Sequence, residues 1–206
     1  MTDDTQITSV EELEELYGPA VPRSLTKEQD HLTDHYRAFV EAAPFVVVAT
    51  SGPEGLDCSP RGDPPGFIRV HDRYTVMMPD RRGNNRLDTL KNIVRDPRIS
   101  LLFLIPGVGE TLRINGKAEI ITDPELCSSF AMQGKSPKSV IVTKIDSVYF
   151  QCQKALARSK LWHPDSIVDR STLPTAGQMA EAMSAEPLDG KAYDENYPEH
   201  LKKTIY

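Results

Sequence analysis

The chain is poor in residues that staple or anchor. Cysteine occurs three times in 206 residues, at Cys58, Cys127 and Cys152. The three are far apart and no pair has CxxC spacing. That argues against a disulfide framework and against a thiolate zinc or redox site. Reduced, part-buried thiols are expected. Histidine is equally thin: His31, His35, His71, His163 and His200 do not cluster. His31 and His35 stand at the i,i+4 spacing of two ligands on one helix face, but no third ligand joins them, and no metal is expected. No run of about 18 apolar residues occurs, so no membrane span is expected. The opening Met-Thr-Asp-Asp-Thr-Gln lacks the basic and apolar regions of a signal peptide, which points to the cytoplasm. Aromatics are only 7% and the formal net charge is −6. A nucleic-acid module needs a broad basic face with stacking aromatics, so that class is disfavoured. GxSxG, Walker A and GxGxxG motifs are absent. Gly107-Val108-Gly109-Glu110 lacks the third glycine and the following helix of a dinucleotide loop, and reads as a hairpin turn. No side chain stands out as an acid, base or nucleophile.

What is present is an ordinary globular balance, 39% hydrophobic and 26% charged, in a length that suits one domain with trimmings. Charge is unevenly placed. Residues 1–16 hold six acids and no base, whereas residues 81–98 hold Arg81, Arg82, Arg86, Lys91, Arg95 and Arg98 against Asp88 and Asp96. An acidic chain with one basic island has a local anion to bind.

Periodicity divides the chain in three. Residues 1–43 read as a helical leader packed on the strands. Ser9 with Glu12 and Thr26 with Gln29 are capping-box patterns, and Leu32, Tyr36, Phe39 and Val40 line a helix face. Residues 44–152 read as six or seven short strands: Phe45–Thr50, Leu56–Arg61, Phe67–Val70, Tyr74–Met78, Ile99–Ile105, Leu112–Ile121 and Val140–Phe150. Gly116 inside one strand predicts a bulge. A helix carrying Leu87, Leu90, Ile93 and Val94 interrupts the strands. Asp123-Pro124 reads as an N-cap with proline at N1, opening a helix to about Met132. Residues 153–206 form a helical and irregular tail, held by a few anchors or by a partner. Many short strands with few helices imply a mainly β, antiparallel barrel with flanking helices (α+β).

Three constellations could carry chemistry. The first is Met78-Pro79-Asp80-Arg81-Arg82-Gly83-Asn84-Asn85-Arg86-Leu87-Asp88, a strand running through a Gly/Asn loop into a helix N-terminus. Unpaired amides and the helix dipole favour an anion there, and arginine forks suit a phosphate. Gly83 and Asn84 tolerate a left-handed backbone. A solvated charged loop with an Asn N-cap explains the same composition. The second is Ser59-Pro60-Arg61-Gly62-Asp63-Pro64-Pro65-Gly66, either the rim of a ring pocket or an edge loop with an Asp-Arg pair. The third is Gln151 to Trp162, three bases and the single Trp. It either covers a flat ligand or anchors the tail.

Ser59–Asp63, Pro79–Leu87, Pro106–Gly116, and Cys152–Ala155 with Arg158–Trp162 together resemble one family in order. So does the helix that runs into Arg95-Asp96-Pro97-Arg98-Ile99. This pattern is similar to pyridoxamine 5′-phosphate oxidase-like proteins, in particular a bacterial subgroup of probable FMN-dependent oxidases. The resemblance spans about residues 45–165. It implies a split β-barrel, a homodimer with flavin mononucleotide (FMN) at the interface, and oxidoreductase chemistry on a small molecule, with NAD(P)H as a candidate electron donor. It implies cofactor contacts from Arg61, Gly62, Asp63, Met78, Pro79, Asp80, Arg81, Arg82, Asn84, Asn85 and Arg86. Thr111 and Arg113 would lie near the flavin, and Lys154, Arg158 and Trp162 would reach in from the other protomer. Asn84-Asn85-Arg86-Leu87-Asp88 stands where the authentic oxidase has Ser-Arg-Lys, and no Arg-Leu-His-Asp-Arg-like segment closes the tail. Pyridoxal phosphate synthesis is therefore not expected. A flavin- or haem-binding carrier without turnover is the rival reading, because such barrels host both.

Overall fold

The computed structural model describes residues 5–206, so positions 1–4 of the leader lie outside the described residues. Seven antiparallel strands form one sheet in the order β2-β1-β5-β6-β7-β4-β3. They are β1 Phe45–Gly52, β2 Gly55–Gly62, β3 Arg69–Asp72, β4 Thr75–Pro79, β5 Arg98–Leu104, β6 Thr111–Ile121 and β7 Val140–Gln151. Strand alternation sets two faces. Val46 and Val48 pair in register with Phe103 and Leu101, which pair in turn with Leu112 and Ile114. All six are 1% exposed or less and form the centre of the core. The expected bulge is present: register shifts between Asn115 and Gly116. A β-carbon on Gly116 would stand 2.0 Å from the Lys144 carbonyl oxygen, so only glycine lets β6 and β7 approach there.

Two helices close the core, α3 Asp34–Ala42 with Val40 fully buried and α4 Asp88–Arg95 with Ile93 at 4% exposure. The apolar spacing for α4 is only half right. Leu87 and Val94 are exposed, while Thr89 and Asn92 are buried. Asn92 donates from its amide to Thr50 Oγ1 at 3.3 Å and needs the space left by Gly52.

The leader packs through its second half only. α1 Val10–Tyr17 and α2 Pro22–Thr26 bury no residue. The Ser9 cap on α1 is as expected. The second cap is not: α3 opens at Thr33, which accepts from Tyr36 N, because Gln29 is instead bridged to Val148 of β7. His31 therefore precedes α3 and shares no helix face with His35. β3 begins at Arg69 rather than Phe67, whose amide closes a turn on Pro64. The Asp123 cap and Pro124 open α5 Pro124–Ser129, shorter than expected. Two thiols, Cys58 and Cys152, are exposed, and Cys127 is buried.

The tail is more helical than its composition suggests. α6 Lys154–Ser159 is followed by α7 Ala176–Met183 and α8 Gly190–Thr204. α7 and α8 meet at Gly177 and Gly190, where a β-carbon would stand 2.0 and 2.6 Å from the opposing carbonyl oxygen. No described helix is long and apolar enough to cross a membrane.

Candidate functional site

At the N-terminal end of α4 the chain brings arginines to a helix that lacks a side-chain cap. The N-cap position is Leu87, left-handed at φ 62° with no capping hydrogen bond. Asn85 is also left-handed at φ 60°. The left-handed residues are therefore Asn85 and Leu87, not Gly83 and Asn84, and the Asn N-cap is not formed. A left-handed leucine costs about 1–2 kcal/mol, and such strain gathers at functional loops. The first-turn amides have no partner within the helix and face the approach to the loop.

β2 supplies the opposite wall. Thr50, Val48 and Val46 pair with Asp57, Ser59 and Arg61, so these three polar side chains alternate onto the core-side face, next to α4. Arg61 Nη2 donates to Thr89 Oγ1 at 3.2 Å, Thr89 Oγ1 donates to Asp57, and Ser59 Oγ donates to Asp57 at 3.0 Å. Arg61 is thus held at the first turn of α4. Arg86 Nε donates to Asp88 Oδ2 at 2.8 Å, and Asn84 Oδ1 accepts from the Arg86 amide at 3.1 Å. Arg82 is exposed and has no ion-pair partner among the described residues. Two guanidinium groups, Arg61 and Arg86, and the helix N-terminus stand beside Asp57 and Asp88, with Arg82 exposed on the same loop, a donor set suited to an anion.

Arg81 points elsewhere. Its Nε donates to Asp63 Oδ2 at 2.7 Å and its Nη1 to the Phe130 carbonyl at 2.6 Å. Asp63 is 2% exposed in its side chain. The pair borders a shallow cavity of about 140 Å³ lined by Pro64, Pro65, Phe67, Arg69 and Met132. Met78 and Pro79 are buried; Met78 belongs to the hydrophobic core, and Gly62 ends β2 opposite Phe45.

Asp80 follows β4, half-buried, with no side-chain hydrogen bond among the described residues. Burial pushes its carboxyl above the ordinary range, partly offset by nearby Arg61. A carboxyl with a raised folded pKa favours unfolding at pH values above the unfolded pKa, because the unfolded chain ionises more readily. Asp80→Asn is therefore expected to raise Tm slightly at pH 7. No difference is expected below about pH 3, where both states are protonated. Thermal denaturation at the two pH values checks it.

The remaining residues lie apart. Thr111, Arg113 and Tyr149 lie on the sheet face opposite to Arg61. There Arg113 Nη1 donates to the Tyr149 hydroxyl at 3.0 Å, and Thr111 Oγ1 to Gln151 Oε1 at 3.2 Å. Lys154 and Arg158 are exposed on α6. Trp162 Nε1 donates to the Val108 carbonyl at 2.8 Å, anchoring the tail to the β5–β6 turn. One chain brings Arg61 and Arg86 together around Asp57 and the start of α4, with Arg82 exposed on the same loop; it does not bring Arg113, Lys154 or Arg158 to them. Asp57 and Thr89 escaped the sequence reading, and Ser59 entered it only as the start of the Ser59–Gly66 segment, with no role of its own. A signal for two of them was legible: Asp57, Ser59 and Arg61 are polar residues at period two in a strand paired to a core strand.

Residues 32–152, more than half of the chain, match the family profile described as Pyridoxamine 5′-phosphate oxidase. The chain belongs to this family. Among solved structures, HupZ from Group A Streptococcus is 21% identical at a TM-score of 0.47, over 57% of this chain and 91% of that one. General Stress Protein 26 from Bacillus anthracis is 14% identical at 0.42, over 55% and 88%. An FMN-binding protein from Syntrophomonas wolfei is 10% identical at 0.43, over 68% and 95%. No curated protein matches the chain. Membership of the pyridoxamine 5′-phosphate oxidase family brings with it the split-barrel pattern of an antiparallel sheet flanked by helices, which is the architecture of this chain.

Proposed function

We propose that this chain binds FMN as a homodimer and works as an FMN-dependent oxidoreductase on a small molecule. The observation that carries the reading is Arg61, held by Thr89 at the uncapped N-terminus of α4. Backbone amides, helix dipole and arginine forks converge there as a phosphate requires. Arg61, Arg82, Arg86 and the first-turn amides of α4 would hold the phosphate. Bound FMN supplies the two-electron chemistry of its ring, and the protein supplies binding and orientation.

Two features support a second copy. The cavity beside Arg81, about 140 Å³, is smaller than the roughly 300–1,000 Å³ of ordinary ligand pockets. The outer sheet face, meanwhile, leaves Phe45 exposed and Val47, Leu102 and Leu104 only half-buried, in register beside Arg113 and Tyr149. A partner covering that face would bury apolar area and would carry its own Thr111, Arg113, Lys154 and Arg158 toward the flavin.

The test is direct. Purified protein is expected to be yellow, to release FMN on denaturation and to run as a dimer in analytical ultracentrifugation. A colourless protein that takes up no FMN on reconstitution would overturn the reading. Loss of flavin absorbance on adding NADH or NADPH separates an oxidoreductase from a carrier.

A further inference from the structure

α8 ends beside the segment that carries Arg81. The Tyr206 hydroxyl donates to Asp63 Oδ1 at 2.6 Å, and Lys135 Nζ donates to the Tyr206 backbone oxygen at 2.6 Å. The other Asp63 oxygen takes Arg81 Nε, whose guanidinium lies 5.8 Å from the Tyr206 ring centroid. Separate segments of the chain meet at one carboxylate that is almost wholly out of water, where charge-assisted hydrogen bonds are strong. Among the described residues, every hydrogen bond between residues 163–206 and the barrel is made by Tyr206. The bond to Asp63 raises the Tyr206 phenol above its ordinary range, so the hydroxyl stays a donor.

The geometry points to Tyr206 as a positioning residue that, through Asp63, holds Arg81 and so sets the entry of the 82–88 loop, making the tail a strap on the segment that leads into the candidate phosphate site. Its consequence for the cofactor rests on the FMN reading above. Without the hydroxyl, Asp63 keeps only Arg81, and Arg81 is held less firmly. The loop then samples other arrangements, and a ligand that needs the ordered loop binds more weakly by that fraction. By linkage, a bound flavin tightens the strap by the same factor.

Tyr206→Phe keeps the ring and removes only the hydroxyl. Hydrogen exchange on the full chain without flavin is expected to rise about tenfold at the Asp80 and Arg86 amides, which donate to the Ser139 carbonyl and to Asn84 Oδ1, the loss of one hydrogen bond to a charged group. FMN affinity, from fluorescence titration of the apo-protein, is expected to weaken in proportion to the loss of molecules with the loop ordered, and so by no more than the rise in exchange. Asp63→Asn should loosen the same amides, and adding Tyr206→Phe to it should add nothing, since both act through one carboxylate. Unchanged exchange at these two amides in Tyr206→Phe, or full additivity of the two variants, overturns the proposal. Raised exchange in a protein that binds no FMN leaves the strap standing and removes the cofactor reading. Unchanged exchange with equal FMN affinity in both proteins does the reverse.

Discussion

Arg61→Ala is expected to weaken FMN binding by about 10- to 100-fold, the equivalent of roughly 1.5–3 kcal/mol for hydrogen bonds to a charged group. Arg61 ranks above Arg82 and Arg86 because it is already in place. Its fork is fixed on Thr89 in the first turn of α4, whereas Arg86 is largely exposed and Arg82 is exposed without an ion-pair partner among the described residues. A side chain already fixed loses less rotamer entropy on binding. The loss should exceed those of Arg82→Ala and Arg86→Ala and should shrink at high salt less steeply than theirs, since exposed charges are screened most. Arg61→Lys should recover only part of it, because an ammonium keeps the charge but not the fork. Titration of apo-protein with FMN measures all four. An unchanged Kd in Arg61→Ala would remove Arg61 from the phosphate.

Arg81→Ala is expected to act on the fold first. Removing one partner of a buried ion pair leaves a charge uncompensated and costs about 3–5 kcal/mol. For a chain of this length, with Tm moving about 2–4 °C per kcal/mol, the loss is roughly 6–20 °C. Asp63 is the charge left behind, with the Tyr206 hydroxyl as its remaining partner. The diagnostic is the double variant. Asp63→Asn in the Arg81→Ala background should recover most of the loss, since removing both charges avoids burying one alone. Thermal unfolding of the four proteins checks it. A drop no larger than that of an exposed arginine would mean that the pair contributes little.

Arg81 and Arg82 are neighbours of one chemistry, and their contrasting roles show where sequence reading stops. In extended backbone, successive side chains point to opposite sides. One turns to Asp63 and the other to solvent, and nothing local in Asp80–Arg86 distinguishes them. The same holds for Leu87. A leucine in the left-handed region contradicts local preference, and only the packing of α4 against β1 and β2 holds it there. The exposure of Leu87 and Val94 goes with that rotation, which turns Thr89 and Asn92 inward.

Much else was legible because it is local. Apolar runs, alternation and turn residues marked six or seven strands, with the third placed two residues early, Gly116 marked the bulge, and Asp123-Pro124 marked a helix start. The basic island stood out by charge alone. The tail did not, because few aliphatics in residues 187–206 concealed a helix held by Gly177–Gly190 packing and by Tyr206. The sequence by itself therefore determined the succession of strands along the chain, the family and the place of the basic loop, since each depends on neighbours a few residues apart. Tertiary structure alone decided which arginine stands against α4, which one is locked to Asp63, and that Tyr206 lies 143 positions away in sequence from the carboxylate it binds. Those choices depend on contacts between distant segments, and identical guanidinium groups carry no local mark of which contact each will make.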